Sequence, residues 1–117
     1  MAFDEQLASR VRAHFQKRRV AFDEKRMMGG LCFLVDARMC VGVEKERLMV
    51  RLDPGVYNEA LKRKGAAPMD FTGRPMRGFV FVSAKGYSSE SDLTSWLDLA
   101  LEFNPHAKSS RKRSQAR

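Results

Sequence analysis

Arg47-Leu48-Met49-Val50-Arg51-Leu52-Asp53-Pro54 is the stretch from which the rest of the chain can be placed. Leu48, Val50 and Leu52 fall on one side of an extended chain and Arg47, Met49 and Arg51 on the other, a period of two that predicts a strand with one face in the core. Asp53-Pro54 then predicts a helix start. Asp is a good capping acceptor, and Pro at the first helical position lacks only an N–H that would have no partner there. Val56, Ala60 and Leu61 turn inward, with Tyr57 alongside, and Gly65 is placed to end this helix.

Upstream, Leu31-Cys32-Phe33-Leu34-Val35 is apolar on both faces and reads as a central strand. Gly29-Gly30 before it suggests a bulge or a close backbone approach. Asp36-Ala37 turns the chain into a returning strand, Arg38-Met39-Cys40-Val41-Gly42-Val43. Because Ala is a poor second turn residue, a loop longer than two residues is expected. Glu44-Lys45-Glu46 is the next reversal. Residues Val20 to Lys25 are mixed and read as a link from helix to sheet. Before them, Phe3, Leu7, Val11 and Phe15 recur every fourth residue, which predicts an amphipathic helix over about 3 to 18.

Downstream, Pro68-Met69-Asp70-Phe71 is expected as a short edge strand, Thr72-Gly73-Arg74-Pro75 as a turn, and Gly78-Phe79-Val80-Phe81-Val82-Ser83 as a strand. Ser89 with Asp92 resembles a capping box. Leu93, Trp96, Leu97, Ala100, Leu101 and Phe103 give the last helix a broad apolar surface, suggesting a sheet contact and a contact with a second subunit. Pro105 stops it. The predicted order is α-β-β-β-α-β-β-α, an antiparallel sheet with packed helices of the α+β class.

The chain of 117 residues is the size of one domain. Its formal charge is +8. Five of those charges sit at Lys108, Arg111, Lys112, Arg113 and Arg117, in a stretch without acids. We therefore expect a domain over 1–105 and a basic, disordered tail over 106–117. Apolar runs are far shorter than the ~20 residues of a membrane span. Asp4 and Glu5 stand where an export signal would be positive, so the expected address is the cytoplasm.

The residues offer little for catalysis. His14 and His106 are the only histidines, and no metal-ligand spacing is present. Cys32 and Cys40 sit in apolar strands, where burial raises a thiol pKa and favours packing over reactivity. No phosphate loop or nucleophile elbow occurs, and Ser88 to Ser91 read as a helix cap. This is the profile of a non-enzyme without cofactor or metal. The basic residues are the candidates. Arg47 and Arg51 share a strand face. With Asp70, Arg74 and Arg77 they would form an anion- or partner-binding group, with a small-ligand site at the Asp70/Arg74 loop as a further reading, or a solvated face with local ion pairs. The tail cations Lys108, Arg111, Lys112, Arg113 and Arg117 would hold nucleic acid without sequence preference, or serve only solubility.

Met28-Gly29-Gly30-Leu31, Arg47 to Asp53 and above all Pro68-Met69-Asp70-Phe71-Thr72-Gly73-Arg74-Pro75-Met76-Arg77-Gly78 resemble the N-terminal domain of TfoX, the Sxy-type competence regulators. The resemblance spans about residues 7 to 104. It implies a bacterial cytoplasmic protein with an α+β fold similar to type III secretion chaperones, commonly dimeric. It further implies a non-enzymatic role in transcription of competence genes beside the cyclic AMP receptor protein, and hence a homodimer with a transcription-regulator partner.

Overall fold

A computed structural model describes residues 4–27, 29–69 and 78–106. Helix α1 spans Glu5–Lys17, within the predicted range, and Asp4 caps it by accepting from the backbone N–H groups of Gln6 and Leu7. Its other end closes through Arg19, whose φ is 59°, with the Val20 N–H donating to the Phe15 carbonyl at 2.9 Å.

Among the described residues six strands follow: β1 (Asp23–Met27), β2 (Gly30–Val35), β3 (Arg38–Glu44), β4 (Arg47–Arg51), β5 (Ala66–Pro68) and β6 (Phe79–Val82). All neighbours are antiparallel, in the order β1-β2-β3-β4-β6-β5. A short 3-10 turn, Pro54–Val56, leads from β4 into α2 (Tyr57–Leu61). Helix α3 (Ala84–Tyr87) and α4 (Glu90–Phe103) complete the domain, with a last 3-10 turn at Asn104–His106. The expected α+β class and antiparallel sheet are therefore present, with one strand and one short helix more than the predicted order.

Four local expectations are corrected. Asp23–Met27 is an edge strand paired with β2, not a link. The β2–β3 connection is a two-residue turn, because Asp36 and Ala37 both take positive φ, 58° and 66°, as a tight hairpin demands. The edge strand after α2 is Ala66–Pro68, and Asp70 and Phe71, expected to continue it, lie outside the described residues. Gly65 does not end α2, which stops at Leu61. With φ at 81°, Gly65 packs backbone to backbone on Gly86, and a Cβ there would lie 2.7 Å from the Gly86 nitrogen. The close approach expected at Gly29-Gly30 is real at Gly30, where a Cβ would run into the Val43 carbonyl.

Helices cover one face of the sheet. Leu7, Val11 and Phe15 of α1, Tyr57 and Ala60 of α2, Tyr87 of α3 and Leu93, Trp96, Leu97 and Ala100 of α4 join Leu48, Val50, Leu52 and the inward residues of the other strands in one core. Leu99 and Leu101 pack on this core while partly exposed. Phe15, Phe22 and Phe33 meet edge to face or tilted, at centroid separations of 5.5–6.0 Å. Ser89 caps α4 by accepting from the Asp92 N–H at 3.0 Å, as the sequence predicts.

Candidate functional site

The β4 alternation puts Arg47, Met49 and Arg51 on the face opposite the helices. Register carries that pattern across the strands: Glu44 opposes Arg47, Met49 opposes Phe81, and Arg51 opposes Phe79. Here the two strand arginines come together with two rings. The Arg47 guanidinium lies over Phe81, its carbon 3.8 Å from the ring centroid, and that of Arg51 lies 5.3 Å from the centroid of Phe79. Arg47 also donates through Nη2 to Glu44 Oε1. Burial lowers the pKa of Arg51, an effect the nearby Cys40 partly offsets, while the group stays a cation throughout the accessible range. A planar guanidinium stacked on a ring keeps its donors in the ring-parallel plane, the orientation that suits a carboxylate or phosphate approaching from the side.

Asp70, Arg74 and Arg77, the loop members of the predicted group, lie outside the described residues, as do Lys108, Arg111, Lys112, Arg113 and Arg117. The structure thus brings Arg47 and Arg51 onto one face.

Both cysteines are buried and free. They do not oppose each other. Register slips between Phe33 and Leu34, which face Val41 and Met39, so Cys40 is the extra residue of a bulge. Cys40 and Val41 both enter the helix-side core, while Cys32 points to the other face. Desolvation pushes the Cys40 thiol up to about 12 and raises that of Cys32 as well. Neither is a nucleophile at neutral pH, in line with packing.

A polar junction escaped the sequence reading. His14 sits on the α1 stripe three residues after Val11 and is buried; its Nε2 lies 2.8 Å from Asp98 Oδ1 on α4, with Arg18 Nη1 3.5 Å from the same oxygen. Beside it is an open cleft of about 470 Å³ lined by Arg18, Ser95, Asp98, Leu99, Leu101 and Glu102. Arg63 reaches the same helix, stacking 3.9 Å over Trp96 and donating to Ser95 Oγ at 3.0 Å. The available signal was His14 lying in phase with Leu7 and Val11; its partner, 84 residues away, is not visible in sequence. Arg12 makes a second bridge, donating through Nε and Nη2 to Glu24 at 2.5 and 2.9 Å and tying α1 to β1, which raises the Arg12 pKa.

Among the described residues, no three His, Cys, Asp or Glu side chains gather as a metal site, and no helix is long and apolar enough to cross a membrane. No curated protein and no solved structure matches the chain significantly. The family model of the TfoX N-terminal domain matches residues 13–104, from the middle of α1 to the end of α4, and the chain belongs to that family.

Proposed function

We propose that this chain is a non-enzymatic interaction module in transcription regulation, acting in the cytoplasm as a homodimer with a regulatory protein as partner. The observation that carries the reading is the family match over residues 13–104. The site geometry is compatible with it. Arg47 is held over Phe81 and against Glu44, and Arg51 shares its face 5.3 Å from the Phe79 centroid, an arrangement suited to planar acceptors on a partner surface. In this proposal residues 1–105 are the module and 106–117 an accessory basic tail. A second reading has its own observation: five cations and no acid from Lys108 to Arg117 suit the phosphate backbone of a nucleic acid.

Duplex DNA binding at two salt concentrations separates the two. The full chain is compared with a variant carrying alanine at Lys108, Arg111, Lys112, Arg113 and Arg117, and oligomeric state is recorded in the same samples. The interaction module is a dimer at both salts and shows no tail-dependent affinity. An affinity falling with a limiting log–log slope of about −4.5, and lost in the variant, moves the function to nucleic acid. A monomer throughout removes the homodimer from the proposal.

A further inference from the structure

Helix α4 has a second side. Leu93, Trp96, Leu97 and Ala100 are buried in the core, while Ser95 and Glu102 are exposed and Asp98, Leu99 and Leu101 are half-buried. These five outward residues line the open cleft of about 470 Å³, and Arg18, at the end of α1, is its other wall. The cleft thus has leucine in its lining and opposite charges at its two borders. Lys17, Arg18 and Arg19 are exposed on the α1 side, and Asp98 and Glu102 stand on the α4 side. Asp98 is engaged by His14 at 2.8 Å and, more loosely, by Arg18 at 3.5 Å. Among the described residues Glu102 makes no ion pair.

We propose that this cleft is where a second copy of the chain docks, with α4 of each copy laid in the groove of the other and Arg18 of one copy paired with Glu102 of the other. The inference rests on the homodimer of the proposed function and gives that dimer its surface. Charge complementarity carries the choice of occupant. An isologous dimer is built from a patch that complements itself: where residue i of one copy touches j of the other, j also touches i. A patch of one sign repels its own copy across a two-fold axis, whereas a patch with a cation at one border and an anion at the other attracts it. A two-fold axis bisecting the line from Arg18 to Glu102 sets each against its opposite on the other copy, so the same pair forms twice. Shape agrees, because α4 is a ridge beside the groove it helps to line, and helices pack ridge into groove. Leu99 and Leu101 lose water as the faces close. The Arg18 side chain is 52% exposed, and its long contact with Asp98 leaves the rest of its donor fork for a second carboxylate. Asp98 keeps His14 as its partner.

The test is sedimentation velocity of the full chain over a concentration series, with charge reversals at the two borders. The wild type associates as a dimer. Arg18→Glu and Glu102→Arg each set like charges against one another twice per dimer, and each weakens association by about tenfold or more. An equimolar mixture of the two variants regains the wild-type association as a heterodimer, and the double variant regains it as a homodimer. Rescue by mixing has no source within a single chain. A wild-type dimer that both reversals leave unchanged overturns the inference and keeps the homodimer, which then uses another surface. Weakened variants that the mixture fails to rescue overturn it as well, since the reversals then act within one chain. A monomeric wild type removes the homodimer and this inference together and leaves the cleft to a partner of another kind. Far-UV circular dichroism checks each variant. Should Arg18→Glu fail to fold, Arg18→Ala takes its place, and its mixture with Glu102→Arg must associate more tightly than Glu102→Arg alone.

Discussion

Two faces of one sheet, built from alternate residues of the same strands, bury their side chains by different means. Every helix contributes to the cluster on one face and none contributes to the cluster on the other. The helix-side residues are mostly branched aliphatics and aromatics, fixed in place by polar tethers: Trp96 donates through Nε1 to the Gly86 carbonyl at 3.2 Å, and Tyr87 through its hydroxyl to the Glu46 carbonyl at 2.8 Å. The opposite face relies on methionine, whose unbranched, polarizable chain fills irregular space and tolerates substitution, and on two arginines beside phenylalanines, Arg47 close over Phe81 and Arg51 farther from Phe79. Equal burial thus conceals unequal specification. We expect the helix side to fix the packing of the fold and the methionine side to tolerate more variation.

Adjacent residues of β4 offer the sharpest way to break that comparison. Leu48 is fully buried on the helix side and Met49 is 4% exposed on the other, so burial alone predicts similar costs. We expect Leu48→Ala to cost about 2–5 kcal/mol, since the surrounding branched side chains close poorly over a cavity. Met49→Ala should fall at the low end of that range, about 2 kcal/mol, since the flexible methionines around it settle into the vacated space. Urea unfolding of both variants measures the difference. A Met49→Ala penalty as large as that of Leu48→Ala would show that the sulfur face is specified as tightly as the core.

What sequence could reveal follows the same division. Leu48, Val50 and Leu52 alternate because one face is core, and α1 and α4 show their stripes for the same reason. Strand β1 was missed because Asp23, Glu24, Lys25 and Arg26 are all exposed; a polar edge guards the sheet against further pairing and leaves no hydrophobic period to detect. Ala37 is by its own preference a poor residue for the tight turn it makes, and its left-handed backbone is set by the β2–β3 pairing. The bulge at Cys40 defeats alternation outright by turning Cys40 and Val41 to the same side. At the candidate site, the shared face of Arg47 and Arg51 was legible from their spacing. Their seats on Phe81 and Phe79 depend on register with β6, which is not encoded locally.

The two thiols provide a second test, smaller in effect. Folding raises Cys40 from 9.0 to about 12 through desolvation. Below pH 9 both folded and unfolded chains hold the proton and Cys40 adds no slope. As pH rises from 9 towards 12, the unfolded chain ionises first, so the stability tied to a protonated buried thiol is progressively lost. Cys40→Ala should therefore flatten the alkaline fall in stability by about 1 kcal/mol per pH unit in that window. Cys32 is shifted in the same direction, and Cys32→Ala should also flatten the curve. Unfolding free energies measured across the window for each variant against wild type decide the matter; an unchanged slope in Cys40→Ala would mean that the helix-side core admits water at the bulge.

The smallest effect is expected where the sulfur face meets solvent. Arg47 is 41% exposed as a side chain, lies 3.8 Å from the Phe81 centroid and pairs with Glu44, so its stacking is screened but not lost. A lysine there keeps the charge and the apolar stem while giving up the flat guanidinium surface. Arg47→Lys should cost about 0.5 kcal/mol, and a double-mutant cycle with Phe81→Leu should assign most of that to the pair. Arg51, at 5.3 Å from Phe79, should show weaker coupling in the parallel cycle. If the Arg47–Phe81 coupling vanishes while Glu44→Gln reproduces the loss, the glutamate holds the guanidinium and the ring is a bystander. The arginine would then be positioned by charge, and its orientation towards a partner would weaken with added salt, whereas a stacked arginine would keep it.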